Sequence, residues 1–305
     1  MATVSVLMSV YGEPLDWIQT TVESILNQTY ADFEFIIIND KPDRKELSDF
    51  LNDLSQRDGR IKIHTNKQNI GLTKSLNVGL KLCTGKYIAR MDADDIAFPS
   101  RLEKQVHYMD QHPEVIVCGT DVELFGAKNF LSYTSLFEDD VDIRGQMLCN
   151  SGLAHPTVII RRSTLVDNNI QYDETYRSAQ DYRLWEQLCK FGKFHNLPEK
   201  LLRYRLSEQQ VTKKLGSDQT NNRDQINARF AAMNNAGELI SVPEDVDSAT
   251  KIRKKIESYS LRADFYKDFS IKSLAKFLVN NKTKCSGREI TFMVIYALYR
   301  KIRRR

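Results

Sequence analysis

Short apolar runs alternate along the first hundred residues with segments whose apolar positions recur at helical spacing. The segment that opens at Pro14 carries its apolar residues on one helical face, and further helices are predicted at 43–57 and 71–83. This alternation predicts a parallel sheet covered by helices on both faces. Four runs have the length and β-branched content of buried strands: 4–10, 33–40, 60–66 and 86–90.

Polar residues follow these predicted strands at the point where each strand ends. Ser9 closes the first strand, Asp40 the second, and Asp92 follows the fourth. In open α/β sheets ligands bind beyond the carboxyl ends of the strands, so these residues should converge on one crevice. The sequence has no GxGxxG after the first strand and no GxxxxGK[ST], which disfavours a glycine-rich phosphate cradle.

An acidic segment supplies another way to meet phosphate charge. The sequence MDADDIAFPSRLEKQ places Asp92, Asp94 and Asp95 directly after a strand and before a helix opened by Pro99. Carboxylate oxygens suit Mg²⁺ or Mn²⁺, which would bridge a diphosphate and draw off its charge as it leaves. Acid-rich segments are also common as turns and helix caps. Three carboxylates in four residues at the expected ligand edge favour the metal.

A second candidate site lies later in the chain. The segment SAQDYRLWEQLCKF at 178–191 predicts a helix with Ser178 as its N-cap and with Leu184 and Leu188 on one face. Asp181 then falls in the first turn, where an acid commonly complements the helix dipole. From the residues alone this structural role is favoured, with a general base as the alternative.

Composition changes this picture mainly at the C-terminal end. Of 305 residues, 41% are hydrophobic and 28% charged, which fits a folded core, and no apolar run approaches the ~18 residues of a membrane span. The net charge is +4, yet residues 249–305 hold 16 Lys and Arg against 4 Asp and Glu, which leaves 28 basic and 36 acidic residues elsewhere. An acidic body with a basic tail is typical of an enzyme on an anionic surface, either a membrane or nucleic acid.

The last residues also bear on the membrane. Residues 290–299 are mostly apolar and precede the basic sequence RKIRRR. As a helix they would cover about 15 Å, half of a hydrocarbon core, so they could insert shallowly but not span. The alternative is a terminal helix packed on the body or on a second subunit.

Cysteine usage and the first residues predict the compartment. Five cysteines, odd in number and without CxxC, indicate a reducing environment and neither a disulfide framework nor a zinc cluster. The N-terminal segment lacks the basic start and small-residue cleavage site of a signal peptide. We therefore expect a cytoplasmic protein, peripheral on the inner face of the cell membrane.

Six segments occur in a defined order: VSVLMSVYGEP, FIIINDKPD, NIGLTKSLNVGL, YIARMDADDIAFPSRLEKQ, HPTVIIRRS and QDYRLW. This ordered set resembles the family 2 glycosyltransferases with the GT-A fold, over roughly residues 3–212. The resemblance implies an α/β fold, with a Rossmann-like, mostly parallel sheet flanked by helices and a C-terminal helical extension outside it. It further implies inverting, metal-dependent transfer of a sugar from a nucleotide-sugar, commonly a UDP-sugar, to an acceptor.

The resemblance also implies a nucleotide side of the site. Asp40 would accept a hydrogen bond from the uracil N3–H, and here Asn39-Asp40-Lys41 stands where the family usually has Asp-Asp-Gly-Ser. That departure leaves Asp40 in place. The residues implied around the base, ribose and phosphates are Ser9, Tyr11, Glu13, Lys67, Asn69, Gly71 and Lys74.

Around the donor sugar, the resemblance implies that Asp94 binds the metal directly. Asp92 would reach the metal and the ribose or sugar hydroxyls, and Asp95 would contact the sugar or support the metal ligands. Arg90 would hydrogen-bond the donor sugar or the surrounding loop. Ser207 stands where the family often has a histidine that helps to hold the metal, so we expect weak metal affinity in the free enzyme.

On the acceptor side, the resemblance turns Asp181 into the general base that deprotonates the attacking hydroxyl. Gln180 replaces the glutamate that precedes this aspartate in the family, a departure that bears on contacts with the acceptor. His155 is expected to line the same side.

These expectations divide the chain into a GT-A domain at 1–225 and a basic helical region at 226–305 on the membrane surface. Within the domain, 1–112 would form the nucleotide-sugar half and 113–225 the acceptor half. The expected function is sugar transfer to a saccharide acceptor, lipid-linked, in capsule or O-antigen biosynthesis.

Three alternatives are disfavoured. A polymerising synthase of the same family would bring membrane spans and a Gln-x-x-Arg-Trp motif, which the sequence lacks. A sugar-nucleotide nucleotidyltransferase would show a Gly-rich basic loop after the first strand. A nucleic-acid-binding protein would use the basic tail and leave the acidic crevice unexplained, so we expect no nucleic-acid partner.

Overall fold

The computed structural model describes residues 2–126, 132–133, 136–147, 151–206 and 216–235. These residues belong to one compact unit, Met1–Ser241. Ser207 and the basic segment 249–305, with its apolar stretch 290–299, lie outside the described residues, so the expectations for them stay predictions. Within the described part, no helix has both the length and the apolar content needed to cross a membrane.

Strands and helices alternate through the first third of the chain, as the pattern predicts. Each element begins and ends within two residues of its predicted bounds. For α1 only the start was predicted, so its end is not compared. The elements are β1 (Val4–Val10), α1 (Leu15–Leu26), β2 (Phe33–Asn39), α2 (Lys45–Arg57), β3 (Ile61–Thr65), α3 (Leu72–Leu82) and β4 (Tyr87–Asp92).

The rest of the described chain has two long strands, β6 and β9, three very short strands, and helices of uneven length. A short 3₁₀ helix, His155–Thr157, precedes the eighth strand. The elements are β5 (Ile96–Ala97), α4 (Arg101–Gln111), β6 (Val115–Gly126), β7 (Ser132–Tyr133), α5 (Asp140–Gln146), β8 (Ile159–Arg161), α6 (Arg162–Asp167), α7 (Gln180–Leu188), β9 (Lys193–Leu206) and α8 (Gly216–Asn235).

All strands join one sheet in the order β3-β2-β1-β4-β8-β6-β9-β5, with β7 paired to β6. The first four strands are parallel and have the order 3-2-1-4 of a Rossmann-like half. Strand β8 is antiparallel to both β4 and β6, while β6 and β9 are parallel. The predicted α/β fold with a mostly parallel sheet flanked by helices is confirmed, and the strands antiparallel to their neighbours are β5, β7 and β8.

The two faces of the sheet carry separate apolar cores. Because side chains alternate along a strand, Val6 and Met8 of β1 face one core and Leu7 faces the other. Helices α1, α2 and α4 cover the first face, and α3, α5, α6, α7 and α8 cover the second. On β4, Ile88 belongs to the second core, so Arg90 and Asp92, at the same parity, face the side that α7 covers.

The predicted N-cap of α7 is wrong. The helix begins at Gln180, and the residue before it, Ala179, has the left-handed conformation with φ of 57°. Ser178 is buried and turned away, since its hydroxyl and its carbonyl accept hydrogen bonds from Asn222 Nδ2 of α8 at 3.2 and 3.1 Å. The left-handed turn at Ala179 therefore directs Ser178 toward α8 instead of the first turn of α7.

Candidate active site

Three acids converge where β4 ends. Asp92 is the last residue of β4, and Asp94 and Asp95 follow in the turn before β5. One carboxylate oxygen from each of the three lies within 4.8 Å of the others. Ser9 pairs with Asp92 across the neighbouring strands, which brings the end of β1 to the same place. The predicted convergence at the carboxyl ends of the strands is therefore present in the structure.

Two distant elements hold this acidic turn, residues 92–95. From α1, the Thr21 hydroxyl donates to the carbonyl oxygens of Ala93 and Asp95 at 3.0 and 2.7 Å. From β9, the Arg205 backbone N–H donates to Asp95 Oδ1 at 2.8 Å, and its Nε donates to the Asp94 carbonyl at 2.7 Å. The main chain of the turn is thus fixed on both sides.

The charges of the acidic turn are not balanced within the described protein. Burial, together with the charges of Asp92 and Glu13, raises the pKa of Asp94 to about 7. Burial, with Asp92 and Asp94, also raises the pKa of Asp95 well above its usual range. Asp95 Oδ2 is buried and has no hydrogen-bond partner among the described residues. Clustered hard oxygen ligands with excess negative charge fit a divalent cation.

Arg90 lies beneath the acidic turn as a buried cation. Its side chain is only 4% exposed and forms an ion pair with Asp92. Its main chain is fixed on two sides, because Arg90 N–H donates to the Val158 carbonyl at 2.9 Å and Arg101 Nη2 donates to the Arg90 carbonyl at 2.7 Å. Its Nε and Nη1 find no partner among the described residues. Arg90 is thus paired with the last residue of β4, and its contact with a donor sugar or with the surrounding loop stays a prediction.

Asp181 lies in the first turn of α7, on the side of the sheet that Arg90 faces. Burial raises its pKa, the Tyr182 N–H and the positive charge of Arg90 oppose that rise, and the charge of Asp92 adds to it. A carboxylate whose pKa is raised by burial is a stronger proton acceptor than an exposed one, which suits Asp181 to the role of a general base.

Asp40 organises the loop between β3 and α3. Its Oδ1 accepts from Asn66 Nδ2 at 2.8 Å and from the Ile70 N–H at 2.9 Å, and its Oδ2 accepts from the Gly71 N–H at 2.9 Å. Asn39 is fully buried, where it accepts from the Lys41 N–H at 3.0 Å. Asn39, which stands where the family usually has an aspartate, is therefore a buried residue whose side chain stabilises the turn that follows β2.

The other nucleotide-side candidates surround this loop. The Tyr11 N–H donates to Glu13 Oε2 at 2.8 Å, and Tyr11 itself is 44% exposed. Asn69 Oδ1 accepts from the Gly71 N–H at 2.9 Å, and Gly71 has a φ of 85° that favours glycine. Two lysines of the group are exposed: Lys67 follows β3, and Lys74 lies in the first turn of α3.

The acceptor-side candidates differ in their surroundings. Gln180 is half-buried at the first position of α7. His155 is buried, with Nε2 2.8 Å from the Tyr172 hydroxyl and its ring edge-on to Trp185 at 6.1 Å between centroids. Burial lowers the pKa of His155 well below its usual range, which keeps the ring neutral. His155 thus packs behind α7, and its contact with an acceptor stays a prediction.

Arg205 is the site residue that the sequence pattern did not reveal. It stands in LLRYRLSEQQVT, a segment that matches the family's closing strand, where Ser207 is the residue that departs from the family. The sequence did offer one indication of this role, because Arg205 is a basic residue at the end of a strand, close to Ser207, where the family often has a metal-binding histidine. The Arg205 side chain contacts the main-chain oxygen of Asp94, and its backbone N–H contacts the Asp95 carboxylate, so neither contact joins two side chains in a recognisable pattern.

Comparisons with known proteins agree with this geometry. The family model described as Glycosyl transferase family 2 matches residues 5–165. An uncharacterized glycosyltransferase of Haemophilus influenzae is 36% identical over 218 residues, which cover 68% of this chain and 67% of that protein. The O-antigen biosynthesis glycosyltransferase WbnJ of Escherichia coli is 33% identical over 214 residues, covering 69% and 82%.

Two further proteins extend the comparison. The amylovoran biosynthesis glycosyltransferase AmsE of Erwinia amylovora is 32% identical over 219 residues, covering 70% of this chain and 79% of that protein. The crystal structure of S. aureus TarS 1–349 in complex with UDP-GlcNAc has a TM-score of 0.58 at 20% identity, covering 75% of this chain and 71% of that one, which shows the fold. The chain belongs to glycosyl transferase family 2 and is a glycosyltransferase with the GT-A fold.

Proposed function

We propose that the protein transfers a sugar from a UDP-sugar to a saccharide acceptor with inversion at the anomeric carbon. The observation that carries the proposal is that Arg90 forms an ion pair with Asp92 of the acidic turn, and that the charges of Arg90 and Asp92 also act on Asp181. The similar S. aureus TarS 1–349 crystallises in complex with UDP-GlcNAc, which supports a uridine diphosphate donor here.

For the donor, Asp94 and Asp92 would hold Mn²⁺ or Mg²⁺, with Asp95 beside them. When bound, such a cation neutralises the diphosphate as it departs. We assign the uracil to Asp40 and the base and ribose to Ser9, Tyr11 and Glu13. Because Asp40 also anchors the Ile70 and Gly71 N–H groups, base recognition and the shape of the phosphate-side loop are linked.

For the acceptor, Asp181 takes the proton of the attacking hydroxyl. The oxygen of that hydroxyl forms the new bond to the anomeric carbon as the bond to the diphosphate oxygen breaks on the opposite face, which inverts the configuration. Arg90 holds Asp92, and its positive charge opposes the rise in the pKa of Asp181 that burial causes, which favours the ionised form. Gln180 and His155 are assigned to the acceptor side, the first at the surface and the second behind α7.

The acceptor is proposed to be a lipid-linked saccharide of a capsule or O-antigen pathway, reached from the cytoplasmic face of the membrane. Two similar proteins carry the names of O-antigen and amylovoran biosynthesis. The basic segment 249–305 would bind the anionic surface, and the region 226–305 would serve this purpose beside a catalytic domain at 1–225.

A donor screen tests the proposal. UDP-, GDP- and dTDP-sugars are incubated with saccharide acceptors and Mn²⁺, Mg²⁺ or EDTA, and the released nucleotide is measured. We expect UDP release only with a divalent cation. Proton NMR of the product from an α-linked donor should show a β-linkage, and the α-linkage would contradict the assignment of Asp181.

A matched pair of variants makes the screen specific. Asp181→Asn removes the base, whereas Asp167→Asn changes an exposed acid at the end of α6. We expect only Asp181→Asn to lose transfer. Formation of UTP and a sugar 1-phosphate from the UDP-sugar when pyrophosphate is added would point instead to a nucleotidyltransferase.

A further inference from the structure

Arg205 contacts the acidic turn from behind with both its main chain and its side chain. The backbone N–H donates to Asp95 Oδ1 at 2.8 Å, and Nε donates to the main-chain oxygen of Asp94 at 2.7 Å. Two consecutive acids of the turn are thus held by one residue of β9. The contact with Asp94 leaves its carboxylate uninvolved, so that carboxylate stays available for a ligand.

Aromatic rings fix the direction of the Arg205 side chain. Its guanidinium carbon lies 4.2 Å from the ring centroid of Trp17 on α1 and 4.4 Å from that of Phe125 on β6. Stacking on aromatic faces favours the planar guanidinium and restricts its rotation. Three elements that are distant in sequence therefore meet at this side chain, and Nε points at the turn as a result.

We propose that Arg205 is a positioning residue for the cation site, which fixes the Asp94 main chain so that the Asp94 carboxylate faces the cation. This inference rests on the proposed function, because that function supplies the cation. Groups that hold metal ligands in place typically change metal affinity by about 10–100-fold when they are lost. A lysine keeps the charge of Arg205 but has neither the planar fork nor an N–H at the Nε position.

The fold does not depend on the Arg205 side chain for the docking of this turn. Strand β5, directly after the turn, pairs with β9 through Ile96 with Arg203 and Ala97 with Leu202. The Phe98 N–H also donates to the Leu201 carbonyl at 3.0 Å. Since these main-chain contacts survive any change of the Arg205 side chain, its loss should loosen Asp94 and leave the sheet intact.

Arg203 provides a matched control on the same strand. It forms an ion pair with Glu123 at 2.9 Å, and its guanidinium carbon lies 4.8 Å from the centroid of the same Phe125 ring. The contacts that the structure gives for its side chain go to β6, whereas those of Arg205 also reach the turn. Arg203→Ala therefore removes comparable charge and stacking without touching Asp94.

The test measures Mn²⁺ binding directly in the full chain, from the electron paramagnetic resonance signal of free Mn²⁺ with UDP present. We expect Arg205→Ala and Arg205→Lys to raise the Kd for Mn²⁺ about tenfold or more, and Arg203→Ala to leave it within twofold. The melting temperatures of Arg205→Ala and Arg203→Ala should fall by similar amounts. Guanidinium chloride below its denaturing range should restore Mn²⁺ affinity to Arg205→Ala, because the ion can enter the space between the two rings.

Several results would overturn the proposal. A wild-type Kd in Arg205→Ala, or an equal loss in Arg203→Ala, would show that Arg205 does not position Asp94. Failure of both Arg205 variants to fold would make the residue structural. If the wild-type protein itself bound no Mn²⁺ with UDP, the proposed function would fail, and this inference with it.

Discussion

The raised pKa of Asp94 predicts that divalent-metal affinity depends on pH across the neutral range. Metal binding requires the ionised carboxylate, so protons compete with the cation. With a pKa of about 7, the carboxylate of the metal-free protein is about 9% ionised at pH 6 and about 91% at pH 8. The apparent Kd for Mn²⁺ should therefore weaken about tenfold from pH 8 to pH 6. Asp95, whose pKa is also raised, can only steepen this dependence.

The assay is calorimetric titration of Mn²⁺ into the protein with UDP, at pH 6, 7 and 8, in buffers of different ionisation enthalpy. The dependence of the measured enthalpy on the buffer gives the protons released, and we expect at least about half a proton per Mn²⁺ at pH 7. A protein without the raised pKa would release no more than the terminal phosphate of UDP itself gives up, which a titration of Mn²⁺ into UDP alone measures. An affinity that stayed flat from pH 6 to pH 8, with no proton release, would refute the reasoning.

Glu13 offers a variant that changes the pKa of Asp94 without removing a metal candidate. Its charge is one cause of the raised pKa, and its Oε2 accepts from the Tyr11 N–H, a hydrogen bond that the amide oxygen of glutamine can keep. Glu13→Gln should move the pH dependence of Mn²⁺ binding to lower pH. Asp49→Asn, at an exposed position of α2, removes the same charge far from the turn and should change nothing.

Four other perturbations have expected outcomes. Asp181→Asn should lower kcat by about 10²–10⁴-fold with the melting temperature nearly unchanged; a large loss of stability with activity retained would make Asp181 a structural acid. In EDTA, Asp94 should make the protein less stable as pH rises from about 4 to 7, because its folded pKa, about 7, exceeds the unfolded value of 3.8. The melting temperature of Asp94→Asn relative to the wild type should therefore rise over this pH range. Gly119→Ala should lower the free energy of unfolding by about 1–3 kcal/mol, because the new Cβ would lie 2.2 Å from Asn196 Oδ1. Gly59→Ala is the control and should lower it far less, because no atom lies within 4 Å of the new Cβ. Truncation after residue 287 should release the protein from anionic liposomes yet spare turnover on a short soluble acceptor. Loss of the fold in the truncated protein would contradict the membrane role. A salt-sensitive shift of DNA by the full chain would favour a nucleic-acid partner.

The sequence predicted those parts of the fold that depend on local pattern. Mostly apolar runs mark β1 and β2, because a strand buried on both faces needs apolar residues at most of its positions. The acidic turn was equally readable, since three carboxylates after a buried strand have few structural explanations. The convergence of Ser9 and Asp92 then followed from the rule that parallel strands share one carboxyl edge.

The parts that the sequence did not predict depend on contacts between distant segments. Strand β8 is three residues long, and nothing local indicates that it inserts antiparallel between β4 and β6. The N-cap of α7 was assigned to Ser178 from residue type, but the left-handed Ala179 and the hydrogen bonds from Asn222 decide the helix start. Each contact of Arg205 with the acidic turn has a main-chain atom on one side, and every residue has such atoms.

The ties between the acidic turn and β9 have a consequence for the order of folding. The hydrogen bond from Arg205 to Asp95 joins residues 110 positions apart, and contacts of such long range tend to form late. During synthesis, β1 to β4 leave the ribosome well before β9 exists, at about 5–20 residues per second. The parallel half of the sheet can then form while its acidic turn still lacks the strand that holds it. A nascent or truncated chain that ends before β9 would carry all three acids and yet bind the cation and its nucleotide poorly.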